Sequence, residues 1–204
     1  MTDNLRDILL KLARENVALA NDPSHDMLHT LRVLANAEKI AAEEGADLDI
    51  VIPAALFHDA IVYPKNSEKA KDSTTDSAKL AEKILNDIPG YPKDKIDAVK
   101  NVILASSFIH GIDYDSLEKR VVHDADLLDA TGLVGAMRTF GSCGSMNVAF
   151  YNADDPFAKD RQLDQAKYGV DHFYQRLLIA KDRINSKSGK QLSLIHISEP
   201  TRPY

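Results

Sequence analysis

A histidine followed directly by an aspartate, His58-Asp59, ends the apolar run of residues 54–57. The run predicts the last turn of a buried helix. His58 and Asp59 then lie at the C-terminus of that helix, where both side chains could bind one ion. A neutral imidazole and a carboxylate suit Mn²⁺, Fe²⁺, Co²⁺, Ni²⁺ or Zn²⁺. Taken alone, the dipeptide favours a simpler interpretation, in which a buried histidine is satisfied by the neighbouring aspartate.

A second polar cluster, SHDMLHTLRV, occupies residues 24–33. His25 and His29 are four residues apart and therefore share one face of a helix, an arrangement that suits a metal ion. Alternatively, His25 and Asp26 form the N-terminal cap of that helix, and His29 is a polar residue on its apolar stripe. On its own, this cluster also favours the structural interpretation.

The third cluster, VVHDADLLDA at residues 121–130, places three carboxylates between apolar turns. Carboxylates in such surroundings are costly to bury without a cation. A solvated helix face could hold them, but the flanking valine, leucine and alanine residues leave little of one. On a helix, Asp124 and Asp126 point about 200° apart, so at most one of them faces a given ion.

Apolar residues recur every three or four positions almost throughout the chain, which predicts an all-α fold without sheets or repeats. The helix from Leu28 onward should end at Gly45, a residue type typical of helix C-caps. We expect residues 62–73 to form a polar loop. Further helices are predicted over residues 5–12, 47–59, 78–88, 92–103, 117–140 and 160–183, with Pro53 tolerated near the first turn of its helix.

Composition narrows the class of protein. The chain has 204 residues, a net charge of −6 and one cysteine. The length predicts one domain, and the acidity argues against a duplex nucleic-acid binder. A single cysteine excludes an intrachain disulfide, and neither a signal peptide nor a membrane span is recognisable, so we expect a cytoplasmic protein. An acidic protein that handles phosphate must carry local positive charge or borrow it from a metal ion.

Taken together, the three clusters resemble the HD-domain superfamily of metal-dependent phosphohydrolases, which is named for an H…HD…D ligand set on separate helices. The likeness extends over roughly residues 5–191 and is strongest to a bacterial branch of loosely characterised HD hydrolases. It implies a single helical bundle with the metal site in its core. The stretches that carry it are residues 25–33, 54–59, 64–66, 124–130, 154–158 and 171–178.

The resemblance implies that His29, His58, Asp59 and Asp126 bind one divalent ion, which could be Mn, Co, Ni, Fe, Mg or Zn. Asp126 is preferred to Asp124 because the family shows its ligand in an Ala-Asp-x-Leu context. Asp124 and His25 would then lie behind the ligands. The branch often has a further histidine where this chain has Ser106, and the difference favours one ion over two.

The implied reaction is hydrolysis of a phosphate ester of a small metabolite, with a nucleotide as the favoured class. Two histidines and two aspartates leave positions on a six-coordinate ion for water and a phosphate oxygen. Asp59 could also take the proton of that water. Arg32 and Lys65 are the candidates for gripping phosphate, and the alternative is that they form surface ion pairs.

Two other functions remain open at this point. The first is a non-catalytic module that uses the metal ion for stability and binds a regulatory or other ligand. The second, an HD-type oxygenase with two irons, would need additional histidine ligands that this chain does not offer in the right helices.

Residues 192–204 do not continue the preceding helical period. They resemble the translation of an adapter used to prepare sequencing libraries, so we expect them to be an artefact. The predicted domain therefore comprises residues 1–191 and lacks its natural C-terminal helix.

Overall fold

The computed structural model describes residues 1–17, 23–63, 67–106 and 114–198, and the side chains of its last helix up to residue 193. Within these residues the fold is all-α, as predicted, and one isolated parallel bridge joins Ala149 to Tyr168. The helices are α1 (Asp3–Asn16), α2 (Met27–Glu44), α3 (Leu48–Phe57), α4 (Ser73–Asp87), α5 (Ile96–Ala105), α6 (Leu117–Asp129), α7 (Gly132–Met146), α8 (Gly169–His172), α9 (Ala180–Arg183) and α10 (Lys187–Ser198).

The centre of the bundle is α3, whose residues from Val51 to Phe57 are all buried. It packs on α2 and α5, while α2 also lies along α6, and α4 covers α5. A helix that is apolar on every side needs neighbours on every side. The residues that follow α3 therefore emerge inside the bundle instead of at its surface. Among the described residues, no helix has the length and hydropathy that crossing a membrane requires.

Local sequence signals account for the ends of α2 and α3. Asp26 accepts a hydrogen bond from the backbone N–H of His29, and Asp47 accepts one from Asp49, so each carboxylate satisfies a free donor in the first turn. Gly45 ends α2 in the left-handed conformation with φ = 80°, as its residue type predicts.

Pro53 lies inside α3, where it cannot donate the helical hydrogen bond to the carbonyl of Asp49. The hydroxyl of Tyr91 donates to that carbonyl instead, at 2.8 Å. Tyr91 is buried, and burial raises the pKa of its hydroxyl, so the group stays protonated and keeps its role as donor. A side chain from outside the helix thus replaces the missing main-chain donor.

The predicted long helix over residues 117–140 is wrong, because α6 ends at Asp129 and α7 starts at Gly132. Gly132 has φ = 61°, a conformation that side chains disfavour. One turn later, a Cβ on Gly135 would collide with the carbonyl of Ala130. The two glycines allow a tight corner, which brings α7 against the 3₁₀ turn Pro23–His25.

The predicted helix over residues 160–183 is also wrong. Residues 160–168 are irregular, and they are followed by α8, a π-helical turn at Phe173–Leu177 and α9. Aspartates account for this, because their carboxylates accept backbone N–H groups that a helix would use. Asp155 accepts from Lys159 and Asp160, and Asp171 accepts from Asp164.

Two further stretches bear on the predicted boundaries. The predicted loop over residues 62–73 contains a 3₁₀ turn at Glu68–Asp72, while residues 64–66 lie outside the described part of the chain. Helix α10 continues across the predicted boundary at residue 191, and Leu192 and Ser193 are buried. The assignment of residues 192–204 to an artefact stays a prediction.

Removing the hydroxyl of Tyr91 should destabilise the fold, because the Asp49 carbonyl then lacks both its helical donor and the replacement. We expect Tyr91→Phe to lower the free energy of unfolding by about 1–3 kcal/mol in urea denaturation. Tyr151→Phe is the matched control, since Tyr151 is exposed and should tolerate the change. Equal stabilities for the two variants would contradict this account.

The pair formed by Asp171 and Arg161 should make stability depend on acid. Hydrogen bonds from the Arg161 guanidinium hold the pKa of the fully buried Asp171 carboxyl below its usual range. Its contribution is therefore complete above the unfolded pKa of about 3.9 and is lost as pH falls further. We expect Asp171→Asn to reduce the free energy of unfolding at pH 7 and to differ less from the unsubstituted protein at pH 3. Urea titrations at pH 7 and pH 3 test this. The control Asp160→Asn, at an exposed position, should leave the free energy of unfolding unchanged at both pH values.

Candidate metal centre

His29 enters the core from the first turn of α2. Its ring is fully buried. The backbone N–H of His29 donates to Oδ1 of the capping residue Asp26 at 2.8 Å, which fixes the start of the helix. The ring nitrogen Nδ1 lies 2.7 Å from Oδ2 of Asp129, a buried residue at the end of α6. Since an ionised carboxylate can only accept, Nδ1 carries the hydrogen, and Nε2 points to the other side of the ring.

His58 follows α3 directly and is also buried. Its Nδ1 lies 2.8 Å from the carbonyl oxygen of Ala55. A carbonyl can only accept, so this ring too has its hydrogen on Nδ1. Each of the two histidines is therefore held by its Nδ1 and presents Nε2.

The two Nε2 atoms face each other at 3.3 Å, and two carboxylates lie beside them. Asp59 Oδ2 is 3.6 Å from His29 Nε2 and 3.5 Å from His58 Nε2. Asp126 Oδ1 is 3.5 Å and 3.9 Å from the same atoms. The structure thus brings together the four side chains that the resemblance assigned as ligands, and His29, His58 and Asp126 form a cluster with ligand atoms within 4.8 Å of one another.

This arrangement fits a divalent cation. Two imidazole nitrogens with lone pairs and two carboxylates repel one another unless positive charge lies between them. Imidazole nitrogen with carboxylate oxygen is a donor set that Mn, Fe, Co, Ni and Zn ions accept. The histidines are buried, whereas the side chains of Asp59 and Asp126 are 30% and 21% exposed, so the centre opens to solvent on its carboxylate side.

The electrostatics of the centre point the same way. Burial lowers the pKa of His29, but the hydrogen bond with Asp129 and the nearby carboxylates of Asp59 and Asp126 outweigh it, and the net pKa is raised. Burial opposes ionisation of Asp59, but the positive charge that His58 and His29 carry when they are protonated favours the carboxylate and holds the pKa of Asp59 below its usual range. The site therefore attracts positive charge, whether it comes as a proton or as a metal ion.

Two residues that sequence reasoning did not single out complete the centre. The carboxylate of Asp129 accepts hydrogen bonds from Arg32, whose Nε and Nη2 lie 2.6 and 3.0 Å from it. Arg138 of α7 approaches Asp129 Oδ2 to 3.1 Å with Nη1, and its Nη2 lies 3.5 Å from His29 Nε2. A signal for Asp129 was available, since it is three residues after Asp126 and shares its helix face.

The structure describes two of the three remaining candidate residues, His25 and Asp124. His25 stands beside the ligands, with its ring centroid 5.9 Å from that of His29. Asp124 is fully buried and accepts from the backbone N–H groups of Asn185 and Ser186, so its hydrogen bonds hold the segment before α10. Lys65 falls outside the residues that the structure describes.

The HD domain model matches residues 27–131 of this chain. The chain belongs to the HD-domain family. All four candidate ligands and Asp129 lie inside the matched range, whereas Arg138 lies beyond it. The all-α bundle that the resemblance implied is therefore confirmed, and the chain has the fold of the HD-superfamily hydrolases.

Similar proteins cover most of this HD-domain chain. The uncharacterized protein YpgQ of Bacillus subtilis is 30% identical over 186 aligned positions, and the alignment covers 88% of this chain and 80% of YpgQ. The crystal structure of YpgQ in complex with ADP aligns with a TM-score of 0.67 at 29% identity and covers 94% of this chain and 89% of that one. An HD-superfamily hydrolase from Bacillus thuringiensis aligns with a TM-score of 0.64 at 26% identity, covering 97% and 91%.

A divalent ion should stabilise the folded protein through Asp126 and not through Asp124. We expect Mn²⁺ at 100 times its Kd to add about 2.7 kcal/mol to the free energy of unfolding, which thermal denaturation reports as a higher Tm. Asp126→Asn should abolish most of this increase. Asp124→Asn should lower Tm in the absence of metal, because it weakens the hydrogen bonds from the backbone of Asn185 and Ser186. The rise in Tm that Mn²⁺ produces should be the same in this variant as in the unsubstituted protein. The opposite pattern would show that the ligand is Asp124.

Proposed function

We propose that this protein is a metal-dependent phosphohydrolase that cleaves a phosphate ester of a small metabolite, with a nucleotide as the favoured class. The observation that carries the proposal is the convergence of two buried imidazole Nε2 atoms and two carboxylates, with Arg138 beside them. The YpgQ structure with ADP supports the nucleotide, because that relative is similar over nearly the whole chain.

His29, His58, Asp59 and Asp126 would hold the ion. When bound, such an ion supplies Lewis acidity, which acidifies water and offsets the charge of a phosphoryl group. The histidines hold their Nε2 atoms in place through Asp129 and the Ala55 carbonyl, so little reorganisation is needed on binding.

Substrate and water would approach from the carboxylate side, because the histidines are closed off from solvent. Asp59 lies on that side and is our candidate to accept the proton of the attacking water. A positioned carboxylate within hydrogen-bonding reach is the usual requirement for that role.

Arg32 and Lys65 are further candidates for binding the phosphate group, and each has a different kind of support. Arg32 reaches the centre through Asp129, to which it gives two hydrogen bonds. Lys65 lies outside the described residues, and its support is its place in the predicted polar loop just after His58 and Asp59.

An activity screen tests the proposal. Purified protein with Mn²⁺, Co²⁺, Ni²⁺ or Mg²⁺ should release phosphate or pyrophosphate from at least one member of a panel of nucleoside mono-, di- and triphosphates, cyclic diesters and aryl phosphates. Phosphorus NMR of the products identifies the bond that is cleaved, and separates monoesterase from diesterase activity. Bound metal without turnover of any substrate would favour the non-catalytic module.

Asp59→Asn distinguishes turnover by this centre from a contaminating phosphatase. We expect kcat to fall by about 100-fold or more, because the variant loses a ligand and the proton acceptor together. Asp160→Asn, an exposed carboxylate outside the centre, should keep full activity. Activity that survives unchanged in Asp59→Asn would refute the assignment.

A further inference from the structure

Three contacts fix the guanidinium of Arg138 at the metal centre. Nε donates to the carbonyl oxygen of Ser24 at 2.8 Å, and Nη1 lies 3.1 Å from Asp129 Oδ2. Nη2 is then 3.5 Å from Nε2 of His29, the nitrogen that faces the other ligands. The side chain is only 15% exposed, so the group is held in one orientation at the inner wall of the centre.

A cation at this position requires an explanation, because a guanidinium cannot bind a metal ion and repels one. Neutralising Asp129 does not supply it, since Arg32 alone already donates to both oxygens of that carboxylate. Once a divalent ion offsets the carboxylates of Asp59 and Asp126, and Arg32 offsets Asp129, the positive charge of Arg138 is in excess. An anion that shares the centre with the metal ion would use it, and a planar guanidinium suits phosphate oxygens.

Asp129 connects this guanidinium to the ligands. One of its oxygens, Oδ2, accepts from His29 Nδ1 and also faces Arg138 Nη1. The same carboxylate thus fixes the hydrogen of His29 on Nδ1 and orients Arg138. Loss of Asp129 would disturb both at once.

We propose that Arg138 binds the phosphoryl group of the substrate and that Asp129 is the positioning residue that sets Arg138 and the tautomer of His29. The inference rests on the proposed function, since it takes the ligand of the centre to be a phosphate. It assigns the main phosphate contact to α7, which the HD-domain match does not reach, and not to Arg32.

Isothermal titration of the Mn²⁺-saturated protein with inorganic phosphate and with ADP tests the role of Arg138. Arg138→Gln should weaken the binding of both ligands by about 10- to 100-fold, through the loss of a charge-assisted hydrogen bond. The Kd of this variant for Mn²⁺ should not rise, because the substitution removes a charge that repels the ion. Arg32→Gln is the comparison, and it should weaken the binding of ADP by less than Arg138→Gln does. A larger loss in Arg32→Gln than in Arg138→Gln would overturn the assignment.

Should Arg138→Gln fail to fold, Arg138→Lys provides the test, because it keeps the charge but loses the planar fork. It should bind ADP about fivefold more weakly, and unchanged affinity would contradict the proposal. Circular dichroism and the Kd for Mn²⁺ report whether each variant is folded.

Imidazole nitrogen NMR tests the positioning role. In Asp129→Asn, the His29 resonances should shift from the Nδ1–H tautomer towards a mixture, and Mn²⁺ should bind about 10- to 100-fold more weakly. A residue with a merely structural role would leave the tautomer unchanged, and that result would remove Asp129 from the proposal.

The outcomes separate this inference from the proposed function. Binding of ADP that depends on Arg138, without hydrolysis of any substrate, would support the inference and reject the phosphohydrolase. Hydrolysis with ADP affinity unchanged in Arg138→Gln would do the reverse. If the Mn²⁺-saturated, unsubstituted protein binds neither phosphate nor ADP, the inference is wrong.

Discussion

The structure depends on keeping two unprotonated imidazole nitrogens face to face in the interior. His29 Nε2 and His58 Nε2 are 3.3 Å apart, and each ring is held there by a hydrogen bond at its opposite nitrogen. Helix α3 has to be buried on all sides for His58 to emerge in the core, and the cap at Asp26 sets the first turn of α2 that carries His29. The apolar bundle therefore acts as the support for a small polar centre, which only a cation satisfies.

The candidate ligand set was predicted from the resemblance to the HD-domain superfamily, because the polar clusters around His29 and His58, each taken alone, favoured a structural interpretation. The sequence shows that an aspartate directly follows His58, and helical geometry makes Asp124 and Asp126 point apart. The structure brings Asp126 to the histidines and Asp124 to the segment before α10. The ends of α2 follow equally from cap residues. What the pattern could not supply was the depth of burial of the histidines, which comes from packing across the bundle.

Arg138 could not have been found from the sequence, and the reason is the corner between α6 and α7. A continuous helix over residues 117–140 would carry Arg138 two and a half turns beyond Asp129, about 14 Å along the axis. The corner at Gly132 and Gly135 turns the chain back, so Arg138 contacts Asp129 and Ser24. Periodicity does not distinguish one long helix from two short ones, because the apolar pattern continues through the corner.

The charge of the centre resolves the apparent conflict between an acidic protein and the proposed phosphate ester substrate. Three carboxylates, on Asp59, Asp126 and Asp129, face two guanidiniums, and the histidines contribute no charge when each has one proton. This leaves one excess negative charge, which attracts a divalent ion, and the bound ion changes the excess to one positive charge. On this count, the centre would attract phosphate once a divalent ion is bound. Because Debye screening limits the effect of distant charges to about 10 Å, the net charge of −6 over the whole chain opposes that attraction only weakly.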